Sequence, residues 1–138
     1  MMSKILLDTH IFIWMVTERK KIQEEIQQLI NLASQEQRLY LSSISIWEIV
    51  MAFQKNRLKL TMPIRIWIEK AIVTSGIKIF PLTPEILIES CLLPGELHGD
   101  PADRMIIATT QIENAILITR DNLILSYAKK GDIQILKG

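Results

Sequence analysis

Cysteine is almost missing from this 138-residue chain: Cys91 stands alone, so an intramolecular disulfide and a cysteine-based zinc site are both excluded, and the composition suits a reducing compartment. A dominant charge is missing too. Lys+Arg 16 against Asp+Glu 15 leaves a formal net charge of +1, which excludes a strongly basic nucleic-acid coat and confines any nucleic-acid contact to a local patch. No apolar run approaches the ~20 residues that cross a bilayer. The stretch from Ile5 to Val16 is broken by Asp8 and His10 and carries no small-residue cleavage site, so no export signal is expected and a cytoplasmic location is. Repeats, low-complexity stretches and linkers are absent, and the expectation is one domain over residues 1–138. What the chain has in quantity is apolar side chain, 49% of its residues. A chain of this size buries roughly two-thirds of its unfolded surface, enough for a core without a covalent or metal staple.

Lys4-Ile5-Leu6-Leu7-Asp8 reads as a strand with consecutive apolar residues, the pattern of a strand buried on both faces of a parallel sheet. Leu39–Leu41, Ile77–Phe80 and Ala115–Thr119 look alike, and Ile133–Leu136 is a weaker fifth. Helical spacing fills the gaps, in Ile22, Ile26, Leu29, Ile30 and Ala33 and again in Ile64, Trp67, Ile68, Ala71 and Ile72, with Gly76 placed as a helix C-terminal glycine. Ser45-Ile46-Trp47-Glu48 fits a capping box, and Asp100-Pro101-Ala102-Asp103 offers an N-cap, a proline at the first helical position and an acid. Strands alternating with helices predict an α/β fold: a three-layer α/β/α sandwich around a central parallel sheet of about five strands. Such folds bind ligands at the carboxyl ends of their strands.

Taken singly, the acids near those ends have structural explanations. Asp8 can cap a helix, Glu48 can complete the capping box, Asp103 can complement a helix dipole, and Asp121-Asn122 can form a turn. Taken together they do not dissolve so easily, because the predicted topology brings Asp8, Glu48, Asp103 and Asp121 to one edge of the sheet. Glu48 also sits in a mostly apolar stretch, where a charge must be paired or coordinated. Four carboxylates in one crevice raise each other's pKa unless a cation neutralises them. Oxygen ligands without a His or Cys cluster select Mg²⁺ or Mn²⁺, and such sites commonly serve phosphoryl transfer.

The blocks Leu6-Leu7-Asp8-Thr9-His10, Ser45-x-Trp47-Glu48, His98-Gly99-Asp100-Pro101-Ala102-Asp103-Arg104-Met105-Ile106-Ile107-Ala108 and Leu117-Ile118-Thr119-Arg120-Asp121 resemble, in this order, the PIN-domain ribonucleases, specifically VapC-type toxins of toxin–antitoxin pairs. The resemblance runs from Ile5 to Leu136. It implies Mg²⁺- or Mn²⁺-dependent hydrolysis of RNA by a metal-activated water, products with a 5′-phosphate and a 3′-hydroxyl, and a homodimer silenced by a cognate antitoxin protein. It maps the catalytic and metal-binding acids onto Asp8, Glu48, Asp103 and Asp121 and gives Thr119 a supporting role. Two positions depart from the pattern: Ala102 stands where an aromatic residue is frequent, and Asn122 where a further acid is frequent.

Other phosphate chemistry fits less well. The chain has no G-x-x-x-x-G-K-[ST] loop and no G-x-G-x-x-G after a strand. A haloacid-dehalogenase-type phosphatase needs a second Asp where His10 stands, and a response-regulator receiver needs an early adjacent acid pair. The alternative of a different class is a PIN-like module that binds RNA or a protein without cutting. Of the remaining polar residues, His10 is assigned packing or hydrogen bonding and Asp100 a helix cap, while Lys55, Arg57 and Lys59 read as a solvated charge run ahead of a contact with an RNA backbone. His98 does not form a metal pair with His10, and Arg104 is divided evenly between phosphate and neighbouring carboxylates. Trp14, Trp47 and Trp67 are assigned to core or subunit packing ahead of base stacking, with Trp14, Trp67 and Ile64 supplying outward apolar surface for the homodimer.

Overall fold

Alternate residues along the strands feed two separate cores, which is why these strands read as continuous apolar runs. The computed structural model describes residues 2–94, 100–128 and 133–138. Its strands are β1 (Ile5–Leu7), β2 (Leu39–Ser42), β3 (Lys78–Phe80), β4 (Ile116–Thr119) and β5 (Gln134–Lys137). All four strand pairs are parallel, in the order β3-β2-β1-β4-β5. The helices are α1 (Thr9–Thr17), α2 (Glu24–Gln35), α3 (Ser43–Gln54), α4 (Ile64–Ser75), α5 (Pro84–Leu92), α6 (Pro101–Ile112) and α7 (Asn122–Ala128), with a 3-10 turn at Arg19–Lys21.

Ile5, Leu7, Leu39, Leu41 and Ile118 pack with Phe12 of α1, Ile30 of α2, Ile49 of α3 and Trp67 of α4. Their neighbours Leu6 and Leu117, with Phe80, pack with Ile106 and Ile107 of α6 and Ile124 and Tyr127 of α7. Helices therefore cover both faces, as predicted. Removing one of these fully buried Ile or Leu side chains to Ala typically costs about 2–5 kcal/mol. The chain lays down β2 and β3 on one side of β1, then crosses to place β4 and β5 on the other. That reversal opens a crevice at the carboxyl ends of β1 and β4.

Helix ends follow the sequence at two of the expected places. Gly76 closes α4 at φ 68°, a left-handed conformation that a side chain would strain. Asp100 caps α6, accepting from the N–H groups of Ala102 at 2.9 Å and Asp103 at 3.3 Å, with Pro101 at the first position. Three expectations are corrected. The cap of α3 is Ser42, whose Oγ accepts from Ile44 N at 3.2 Å, so Ser45 lies inside the helix and the capping box with Glu48 does not form. Trp67 is only 7% exposed and packs edge-on against Phe12, which removes it from any outward surface. Asp121 opens a helix rather than a turn. Its Oδ1 accepts from Leu123 N at 2.8 Å and Ile124 N at 3.2 Å at the start of α7.

Candidate active site

Asp8 follows β1 directly and is 3% exposed. One of its oxygens accepts from Thr9 N at 2.8 Å, and the other accepts from the Thr119 hydroxyl at 2.5 Å. The helix-cap reading therefore describes half of this side chain. Burial raises its pKa, with the Asp121 charge acting in the same sense, while His10 and the Thr119 and Thr9 hydrogen bonds pull it down. His10 Nδ1 lies 3.6 Å from Asp8 Oδ2, and its Nε2 accepts from the Arg120 backbone N–H at 3.0 Å. His10 thus holds the hydrogen-bonding role expected of it, with one ring nitrogen on the Arg120 backbone and the other facing Asp8.

Glu48 lies one turn beyond Ser45 on α3, and both meet Thr9. Thr9 Oγ1 is 2.5 Å from Glu48 Oε1 and 2.7 Å from Ser45 Oγ. A hydroxyl has one proton to give, so Thr9 donates to the carboxylate while accepting from Ser45. Burial raises the Glu48 pKa; the Thr9 hydrogen bond opposes it, and the charges of Asp8 and Asp100 add to it. Asp103, 9% exposed in the first turn of α6, has its carboxyl pushed up to about 8, by burial first and then by Asp100, Asp8, Asp121 and Glu48. Asp121 is half-buried and tied to the same place, since its backbone N–H donates to Thr119 Oγ1 at 3.0 Å. Thr119 thus joins Asp8 to Asp121 through a single hydroxyl.

Asp8, Glu48, Asp103 and Asp121 line one cleft of about 1030 Å³, together with Asp100 as a fifth acid. The donor set, all carboxylate oxygen, fits a hard divalent cation and not zinc. Among the described residues no three acid or histidine side chains already stand as a closed cation cage. Of the two departures, Ala102 is buried at the cleft wall and Asn122 is exposed. His98 and Gly99 lie outside the described residues.

The cleft also contains groups that sequence reasoning assigned elsewhere. Lys55 and Arg57 line it, while Lys59 lines a smaller neighbouring cleft beside Trp14. Trp47, assigned to packing, is 57% exposed at its wall. Arg104 donates through Nε to the Ser90 carbonyl at 2.9 Å, tying α6 to α5. Thr9 and Ser45 were legible in principle: Thr9 adjoins Asp8, and Ser45 precedes Glu48 by three, which puts the two on one helical face.

A model of the PIN domain matches residues 5–130. The chain is 28% identical over 126 residues to ribonuclease VapC22 of Mycobacterium tuberculosis, covering 91% of this chain and 93% of that protein. Among solved structures it is similar to DNA-bound VapBC from Salmonella typhimurium, with TM-score 0.72 and 20% identity over 99% of this chain and 98% of the other. FitAcB from Neisseria gonorrhoeae gives TM-score 0.64 and 20% identity, over 96% of each chain.

Proposed function

This chain belongs to the PIN-domain family, and from that premise we propose that it is a Mg²⁺- or Mn²⁺-dependent endoribonuclease, the toxin of a toxin–antitoxin pair. The observation that carries the reading is the convergence of Asp8, Glu48, Asp103 and Asp121 from separate elements on one cleft. Three of these carboxyls are pushed up in pKa partly by one another, the state a bound dication relieves. The similarity to a ribonuclease named VapC22, and to structures of VapBC, supports both the activity and an antitoxin partner. The reading includes a cytoplasmic location, in keeping with RNA as the substrate.

In this reading Asp8, Asp103 and Asp121 hold the ion, and Thr119 positions the first and last of them. Glu48, aimed by Thr9, orients the nucleophilic water or holds a second ion. A bound Mg²⁺ or Mn²⁺ would supply charge neutralisation at the scissile phosphate and an activated water. His10 is not needed as a base, because its Nε2 already accepts from Arg120 N–H. Lys55 and Arg57 offer local positive charge to the phosphates on either side.

The reading includes a homodimer, which must draw on surface other than Trp67; Ile88 and Leu92 of α5 are exposed apolar candidates. A monomer by light scattering at micromolar concentration would remove that part. The activity is tested by incubating a mixed RNA pool with the protein in Mn²⁺ and in EDTA: cleavage should appear only with the metal and vanish in Asp103→Asn. Binding without cleavage is the alternative reading. Intact RNA in Mn²⁺ with retained binding would establish it.

A further inference from the structure

Trp47 is out of place for a packing residue. Tryptophan is a large apolar side chain that the fold would ordinarily bury, and the other two tryptophans obey that rule: Trp67 lies in the core and Trp14 is half-buried against the His10 ring. Trp47 keeps 57% of its surface exposed, and the surface it faces is the cleft that holds the four acids. Its helix explains how. Ser43, Trp47, Met51 and Lys55 follow one another at intervals of four along α3 and all line the cleft, while Glu48, one residue on from Trp47, lines it as well. The stripe from Trp47 to Lys55 spans about 12 Å at 1.5 Å per residue. It begins with an aromatic ring, continues over the apolar Met51, and ends at a cation, with Arg57 lining the same cleft. An aromatic face followed by positive charge is the surface chemistry that holds an unpaired nucleic-acid strand, the ring taking a base and the cations its phosphates.

We propose that Trp47 is a nucleobase-stacking platform that positions an unpaired base of the substrate strand beside the acids, with Lys55 and Arg57 taking the adjoining phosphates. This rests on the ribonuclease reading and adds a consequence to it: Trp47 engages an unstacked base, because a base inside a duplex has both faces covered by its stacked neighbours. Trp47 is a positioning residue and touches no reacting atom, so its loss weakens substrate binding more than turnover.

The test uses the Asp103→Asn protein in Mn²⁺, which does not consume its ligand, titrated with eight-residue oligo(A), oligo(U) and a G·C-rich duplex of that length. Single strands should quench part of the tryptophan fluorescence, the duplex should not, and Trp47→Phe should remove the quench while keeping most of the affinity. Trp47→Ala should bind about 5- to 100-fold more weakly. With Asp103 restored, Trp47→Ala should raise KM by a similar factor with kcat little changed, Trp47→Phe should recover much of the loss, and both should melt within a degree or two of wild type. Unchanged quenching in Trp47→Phe, or wild-type affinity and KM in Trp47→Ala, overturns the platform while leaving the ribonuclease reading intact. Absence of cleavage in the wild type overturns the ribonuclease reading instead, and the quench still decides whether Trp47 meets RNA. Loss of antitoxin binding in Trp47→Ala, with RNA affinity unchanged, assigns the ring to a protein contact and also overturns the platform.

Discussion

The two ends of the parallel sheet treat charge in opposite ways. At the amino end, Lys4 precedes β1 and meets Glu113, which precedes β4, at 3.1 Å; Arg38 precedes β2 and its Nε donates to Glu36 at 2.7 Å. Both of these pairs join charges of opposite sign. At the carboxyl end five acids, Asp8, Glu48, Asp100, Asp103 and Asp121, line one cleft, and every shift resolved among them is upward. Charges that serve the fold come in neutralising pairs. Charges of one sign gathered against their own repulsion lower stability unless a cation joins them, so they mark the end of the sheet where the chemistry belongs.

The largest effect that would sharpen this contrast is on cleavage. Asp103→Asn should lower Mn²⁺-dependent cleavage at least about a hundredfold, as expected for a lost ligand when even supporting groups of a metal site cost ten- to a hundredfold. The fold should be retained, because Asp100 and not Asp103 caps α6. Lys4→Met, at the other end, should cleave like wild type. Equal activity of wild type and Asp103→Asn at saturating Mn²⁺ would break the comparison.

Next comes Thr119→Val, which removes the hydroxyl that donates to Asp8 and accepts from Asp121 N–H. A loss of about ten- to a hundredfold in activity is expected. The buried groups left without their partner should also lower stability by about 1–3 kcal/mol in urea titration. Thr119→Ser should restore most of both, since it keeps the hydroxyl.

The thermodynamic form of the contrast is a pH dependence of opposite sign with and without metal. Asp103 holds its proton up to about pH 8 in the folded protein, against an ordinary value of 3.8. Between those values the unfolded chain has lost a proton that the folded one keeps, so in EDTA stability should fall as pH rises from about 4 to 8 and then level off. Asp103→Asn should flatten that slope. Mn²⁺ needs the deprotonated acid, so the rise in melting temperature it gives should grow across the same window. Asp8→Asn should melt above wild type in EDTA and lose that advantage in millimolar Mn²⁺, because the amide still caps α1 but no longer repels its neighbours or holds the ion. Parallel melting curves for the two proteins in both solutions would take Asp8 out of the metal set.

How much of this could be read from the chain depends on how far each signal was local. Strands buried on both faces announce themselves as apolar runs, and all five lie within a residue or two of expectation. Asp8, Asp103 and Asp121 were legible because each stands where a strand ends or a helix begins, and a parallel sheet sends all such places to one edge; Glu48, in the second turn of α3, was legible from the cost of a charge in an apolar stretch. The start of α3 was not, since Ser42, Ser43 and Ser45 can all cap and only the length of β2 selects Ser42. Two turns of helix at Asn122–Ala128 are too short for periodicity to show, so Asp121 read as a turn residue. The exposure of Trp47 was hidden for a related reason. The run Ile44-Ser45-Ile46-Trp47-Glu48-Ile49-Val50 is apolar nearly all round, so nothing local distinguishes the face that packs from the face that lines the cleft.

The smallest effect lies at the amino end, and it tests whether paired charge there is only structural. Lys4 and Glu113 are both partly exposed, the setting in which an ion pair contributes about 0–1 kcal/mol. Glu113→Gln should therefore change stability by less than about 1 kcal/mol, and by less still at high salt. Lys4→Met should cost somewhat more than Glu113→Gln, because the Lys4 ammonium also lies 5.6 Å from the centre of the Phe80 ring and 6.0 Å from that of Tyr40. Neither should alter the pH slope in EDTA or the response to Mn²⁺, since neither charge reaches the cleft. If Glu113→Gln shifted the metal response as strongly as Asp8→Asn, the two ends would be one electrostatic system, and the division between structural pairs and functional acids would fail.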